Sequence, residues 1–289
     1  MSAIVSPSIG DDKVRLKRLL GLLLRWQTLP ILWLCFVASC AVFPDLIAGD
    51  PYAQSLRRRF LPPGTVGHIF GTDMLGRDVF SRLIYGARPT VIVALCALAL
   101  SAVIGLTVGM IAGMSGRWAD RILMRLTDTV LSLPLILLAL FLVMLLGPSI
   151  VNVVVAIGAL AWARYARVIR AETLVVNSTD YVTHARISGV SRVAILFRHI
   201  LPNVLPVVIV LVTLQVGWVV MVEASLSFLG AGVPPPVPSW GGMVADGRNV
   251  MLTSWWVSAI PGLMILSVVV SLNLLGDYLR DRYDPALAT

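Results

Sequence analysis

Apolar residues recur along this chain in blocks near the roughly 20 residues a helix needs to cross hydrocarbon, and polar residues collect between the blocks. They run from Gln27 to Ile47, Thr90 to Gly113, Val130 to Leu146, Ile150 to Val168, Val204 to Phe228 and Trp255 to Gly276. The pattern predicts an all-α fold, a polytopic membrane helical bundle of six transmembrane helices. Gly147-Pro148-Ser149 between the third and fourth blocks is a turn too short for a domain, so those two form a tight helical hairpin. In the second block, Ala97, Ser101, Gly105, Gly109 and Gly113 fall every four residues and clear one helix face of side chains. Another helix should press close there, from this chain or from a partner subunit.

Composition supports the membrane reading. The 289 residues are 58% hydrophobic and 13% charged, and the mean hydropathy is +0.89, too little polar surface for a soluble domain of this size. Of the 23 basic residues, only Lys13 and Lys17 are lysines. No G-x-x-x-x-G-K-[ST] string exists, so the chain cannot carry its own Walker-type ATPase. Arginines beside apolar spans read as membrane anchoring, not as a nucleic-acid surface. Cys35, Cys40 and Cys96 lie inside apolar blocks and imply neither a disulfide nor a metal framework. Val37-Ala38-Ser39-Cys40 faintly resembles a lipoprotein cleavage box, but the apolar segment continues past Cys40. His68, His184 and His199 are widely separated and pair with no nucleophile, which leaves no catalytic residue, no zinc site and no enzyme.

Orientation follows from arginines in short loops. Arg117, Arg121 and Arg125 lie between spans two and three; Arg164, Arg167, Arg170, Arg186, Arg192 and Arg198 lie between four and five. These loops should be cytoplasmic, and with six spans both termini share that side. The expected organisation is a cytoplasmic N-terminal segment 1–26, a first span 27–47, an external loop 48–89, a five-helix core 90–276 with a cytoplasmic loop at 171–203, and a cytoplasmic tail 277–289. The external loop is an exception to the rule, since it holds Arg57, Arg58, Arg59, Arg77, Arg82 and Arg88. Gly71-Thr72-Asp73 and Gly76-Arg77-Asp78 within it read as turns with capping aspartates, not as a cation site.

The cytoplasmic loop should hold a short helix entered through Ser178, Thr179 and Asp180 and stopped at Gly189. A second helix restarts at Ser191. Its apolar positions Val193, Leu196, Phe197, Ile200 and Leu201 recur at helical spacing, leaving Arg192 and His199 toward water. Pro202 and Pro206 should break the run before span five. An exposed helix held between two spans is suited to transmit a push. Near the far end of span five sits Glu223, an ionisable group among Val, Met, Ala and Leu. It either faces a polar cavity or partner, or is an interfacial carboxylate near the headgroups. Asn152 and Gln215 are weaker translocation-path candidates, of a kind more often used in interhelical hydrogen bonds.

Tyr181-Val182-Thr183-His184-Ala185-Arg186-Ile187-Ser188-Gly189, followed by Phe197-Arg198-His199-Ile200-Leu201-Pro202-Asn203, resembles the EAA loop of ABC importer permeases. Thr183 and His184 stand where that pattern has Glu and Ala, while Ala185, Gly189, Leu201 and Pro202 keep its spacing. Three further stretches resemble the peptide and nickel branch, the dipeptide and oligopeptide permeases of the DppC and OppC kind. They are His68 to Arg82 continuing to Arg88, Glu223 to Gly230 with Pro238-Ser239-Trp240-Gly241, and Asn273 to Asp277 with Leu279-Arg280-Asp281 and Asp284-Pro285. The resemblance implies a type I ABC importer permease of MetI-like architecture in a bacterial inner membrane, translocating small peptides. It also implies a second homologous permease subunit, two cytoplasmic ATPase subunits that bind the ATP and Mg this chain lacks, and an external substrate-binding protein. Residues 181–189, 201 and 202 would then form the ATPase-coupling loop. Alternatives are a permease of the same family for nickel chelates, glutathione or another small solute, and an ion-coupled secondary transporter.

Overall fold

The computed structural model describes residues 28–283; residues 1–26, Gln27 and the Asp284-Pro285 stretch, which carry several of the sequence expectations, lie outside them. The described chain is helical, with only two isolated bridges, Thr65 to His68 and Thr72 to Asp78, in place of any strand. Helix α1 covers Thr28–Val42 and a short α2 covers Pro44–Ile47. Next come α3 (Val79–Met114), α4 (Arg117–Ser132), α5 (Leu135–Leu146) and α6 (Ile150–Asn177). The remainder is α7 (Asp180–Ile187), α8 (Arg192–Ile195), α9 (Leu201–Phe228), α10 (Trp240–Gly247) and α11 (Trp256–Tyr283).

Four helical stretches are long and apolar enough to cross a membrane, and a fifth if the bent α4–α5 pair is one span. The described residues thus show four or five of the expected six spans. The described part of α1 is shorter than a span, and the third block is not one helix: α4 and α5 meet at 92° across Leu133-Pro134. Proline has no N–H to donate and pushes the preceding residue into extended backbone, which ends α4 there. The second span begins eleven residues earlier than the apolar block suggested, at Val79. Asp78 caps it through Oδ2, which accepts from the Ser81 N–H at 2.7 Å, and Pro89 sits inside the helix without ending it.

The small-residue stripe lies against α6, the partner with which α3 packs most extensively. A Cβ at Gly105 would stand 2.3 Å from Tyr165 Cβ and 2.8 Å from the Trp162 carbonyl, and one at Gly109 would stand 2.8 Å from the Ala166 carbonyl. Ser101 Oγ donates to the carbonyls of Ala97 (2.7 Å) and, across the interface, Gly158 (3.3 Å). Because lipid tails are as apolar as leucine, helices in a membrane gain little from burying apolar surface as such. They associate by close van der Waals approach and interhelical hydrogen bonds, and the stripe supplies both.

At the end where α3 begins, the segment that carries the surplus arginines is knotted around one carboxylate. Asp73 is 1% exposed. Its Oδ2 accepts from Arg77 Nε at 2.7 Å and Arg82 Nη1 at 2.6 Å, and its Oδ1 accepts from the backbone N–H groups of Leu75 and Arg77. Arg82 Nη1 also reaches Asp246 Oδ2 on α10 at 3.2 Å. Trp256 Nε1 donates to the Thr72 carbonyl, Trp240 Nε1 to the Leu83 carbonyl, and Arg88 to the carbonyls of Ala41 and Val42 at the end of α1. Three of the arginines that strained the charge rule are therefore structural, tying the segment to α1, α3 and α10, whereas Arg57, Arg58 and Arg59 are exposed.

The closeness of α3 and α6 is testable. Gly105→Ala is expected to lower the unfolding midpoint of the detergent-purified chain, at a cost of about 1–3 kcal/mol from overpacking. Gly116→Ala, where a Cβ meets nothing within 4 Å, should leave the midpoint unchanged.

Candidate functional site

The polar loop lies at the opposite end of the bundle, between α6 and α9. The loop proper is shorter than 171–203, because α6 continues to Asn177 and α9 begins at Leu201. Helix α7 is fixed from beneath by Val182, which is fully buried in the same apolar cluster as Ile195, Ile200 and Val204. It stops by a specific device. The Val190 N–H donates to the Ala185 carbonyl at 3.1 Å and the Gly189 N–H to the Arg186 carbonyl at 3.2 Å, the paired bonds of a Schellman motif. Gly189 sits at φ +81°, a left-handed conformation that costs residues with a side chain. The Ala185-to-Gly189 spacing is thus a helix stop: residue 185 supplies the carbonyl and residue 189 the bend.

The helix restarts with Ser191 as N-cap, its Oγ accepting from the Ala194 N–H at 3.3 Å. Leu196–Ile200 then forms a π turn, and the Leu201 N–H donates to the Leu196 carbonyl five residues back. That turn overturns two expectations. Val193 and Phe197 do not join the buried face; they are 64% and 60% exposed. Ile195, left off the expected face, is buried together with the expected Ile200 five residues on, because a π turn holds an extra residue and advances the apolar register by one. Nor do the prolines break the run. Pro202 falls in the first turn of α9, Pro206 lies inside it, and one helical path extends from Arg192 to Phe228.

Side chains pin the two halves of the loop together. Asn203 Nδ2 donates to the His199 carbonyl at 2.6 Å and to Tyr181 Oη at 3.3 Å, and the Tyr181 and His199 rings lie 5.9 Å apart. Arg186 Nη2 donates to Asn177 Oδ1 at 2.8 Å, holding α7 to the end of α6. Thr183 and His184 point outward, Ala185 and Leu201 are half-buried, and Pro202 is exposed. With Ile187, 79% exposed, Val193 and Phe197, which the helical spacing had placed on the apolar face, give the loop an apolar outer surface. The five-residue Ile195–Ile200 spacing was the available signal.

No hydrogen bond among the described residues joins the three path candidates to one another. Asn152 Nδ2 donates to the carbonyls of Leu146 and Gly147, at 2.9 Å each, closing the α5–α6 turn. Gln215 is half-buried on α9. Glu223 is fully buried and is not an interfacial group. Ser227 Oγ donates to its Oε1 at 2.7 Å, and the Val233 N–H donates to that same hydroxyl oxygen at 3.4 Å. Thr90 adjoins the carboxyl group, yet Glu223 Oε2 and Thr90 Oγ1 each lack a hydrogen-bond partner. Among the described residues, no group of His, Cys, Asp and Glu could hold a metal ion.

Residues 105–289 match the family described as the inner membrane component of binding-protein-dependent transport systems. The chain belongs to this family. It is a multi-pass permease of a binding-protein-dependent ABC importer. It is 39% identical over 263 residues to the di/tripeptide transport system permease protein DppC of Pseudomonas aeruginosa, covering 89% of this chain and 87% of the relative. It is 41% identical over 220 residues to the glutathione transport system permease protein GsiD of Pectobacterium atrosepticum, covering 76% and 73%. A chain of the MetNI methionine ABC transporter, solved in inward facing conformations, shares the fold with a TM-score of 0.58 at 19% identity, covering 70% of this permease and 96% of that chain.

The stop at Gly189 can be probed directly. Gly189→Ala forces a side chain into the left-handed region and should cost the motif about 1–2 kcal/mol. The expected result is roughly tenfold faster hydrogen exchange at the Val190 amide, with exchange at the α3–α6 interface unchanged.

Proposed function

We propose that this permease conducts small peptides and that the 178–200 loop is where ATPase subunits drive it. The observation that carries the coupling role is the loop's construction. Val193 and Phe197, exposed beside Ile187 of α7, are mounted on a helix continuous with α9, so displacement of that surface must tilt the span. Relatives named for di/tripeptide and glutathione transport support a peptide substrate, since glutathione is itself a tripeptide. The proposed assembly has a second homologous permease subunit, two ATPase subunits holding ATP and Mg at the loop end, and a substrate-binding protein at the Asp73 end. The proposed topology has six passes, α1 and α5 supplying the two that are not single long helices. The loop end and both termini face the cytoplasm of a bacterial inner membrane, in accord with its arginines. Movement would be alternating access, with nucleotide state biasing one arrangement of the spans over the other.

A cysteine at exposed His184 should crosslink to an ATP-hydrolysing subunit in intact membranes and react only from the cytoplasmic side. Peptide uptake into sealed vesicles should require ATP with the ATPase partners present. Labelling from outside, or uptake driven by an ion gradient without ATP, refutes the reading. Glu223 carries a second expectation. Glu223→Gln keeps the shape and an acceptor for Ser227 but removes the ionisable group, so it should impair uptake while the amount of assembled complex stays constant. Unchanged uptake would remove Glu223 from the path.

A further inference from the structure

Helix α4 presents two exposed stripes side by side. Arg117, Arg121 and Arg125 occupy positions i, i+4 and i+8. One residue after each stand Trp118, Ile122 and Leu126, which are 74%, 64% and 52% exposed. The helix cannot lie across hydrocarbon, because three arginines there are too costly. Its neighbour α5 is apolar on every side, with Leu137, Phe141, Met144 and Leu145 exposed, and so enters the bilayer. The 92° bend between them turns α4 toward the plane of the membrane surface. An amphipathic helix in that plane rests its apolar stripe among acyl chains and carries its basic stripe at headgroup level.

The basic stripe opens on a cleft of about 500 Å³ between α4 and α6, lined by Arg117, Arg121, Arg125, Arg167 and Arg170 with Asp120 and Asp128. Both aspartates are taken. Arg170 Nη2 donates to Asp120 Oδ2 at 2.6 Å, and Arg167 Nη2 to Asp128 Oδ1 at 2.6 Å. Arg117, Arg121 and Arg125 have no carboxylate partner among the described residues. The Arg121 guanidinium lies over the Trp118 ring, 5.0 Å from its centroid, which holds a cation at the seam between the two stripes. The guanidinium fork matches phosphate oxygens in pairs.

We propose that this cleft is a binding site for the headgroup of an acidic phospholipid, its phosphate held by Arg117, Arg121 and Arg125 and its acyl chains lying along Trp118, Ile122 and Leu126. A small anion would satisfy the arginines but leave the apolar stripe uncovered, and an acidic protein segment would do the same; a phospholipid fills both.

The test is native mass spectrometry of the full chain in neutral detergent, titrated with phosphatidylglycerol or phosphatidylcholine. Phosphatidylglycerol should be retained in preference by on the order of tenfold or more. The preference should disappear in R121Q/R125Q, persist largely in R121K/R125K, and be unaffected by R57Q/R58Q at the opposite end. Trp118→Ser should weaken retention of both lipids, and millimolar inorganic phosphate should not displace the bound one. Equal retention of the two lipids by the unsubstituted chain overturns the proposal, as does undiminished preference in R121Q/R125Q or displacement by phosphate. If R121Q/R125Q does not fold, Arg117→Gln alone should give a partial loss, and its absence counts against the site.

Discussion

Helices inside a bilayer cannot be driven together by hiding apolar surface from water, so this permease depends on how near two backbones can come. The approach of α3 to α6 along Gly105, Gly109 and Gly113 is that constraint made concrete. Tyr165 and Ile169 fill the space that side chains on the stripe would occupy, and the apolar cluster they belong to extends to Val182, Ile195 and Ile200 beneath the loop. The footing of the loop is therefore the same packing that joins α3 to α6, the most extensive helix pair of the described bundle.

Polar contacts at the other end are arranged differently. There the chain leaves the helices for a long irregular segment, and backbone groups and charges have to be satisfied one by one. Asp73 gathers two arginines and two backbone donors, and the tryptophans of α10 and α11 spend their indole N–H groups on carbonyls of the same region. Breaking such a buried pair on one side strands a charge and typically costs about 3–5 kcal/mol. The segment accordingly reads as a rigid platform fastened to α3 and α10.

Much of this was legible in the residues themselves. Apolar block length located the bulk of α3, α6, α9 and α11, the four-residue stripe located a close-packed face, and Gly189 with Ser191 located a stop and a restart. What the sequence concealed has physical causes. Pro202 and Pro206 are expected breaks, yet Pro202 lies in a first turn and Pro206, like Pro89, within a helix, while Pro134, inside an apolar block, does separate α4 from α5. A π turn inserts one residue per turn, so the apolar register past Leu196 departs from a period of 3.6, and the five-residue Ile195–Ile200 spacing is its one trace in the sequence. Pairings across long separations, such as Arg82 with Asp246, are set by tertiary geometry and leave no local trace. Asn152, a weaker path candidate, closes the local α5–α6 turn through the carbonyls of Leu146 and Gly147.

The unbroken path from Arg192 to Phe228 has a mechanical corollary. Thirty-seven residues at a rise of about 1.5 Å each make a shaft about 55 Å long, with Phe197 near one tip and Glu223 near the other. No coil lies between them in the described chain, and the π turn Leu196–Ile200 sits beside the handle and not midway. If the exposed foot is pushed, as the proposed coupling requires, this shaft offers a continuous path toward the far tip, where Glu223 lies buried.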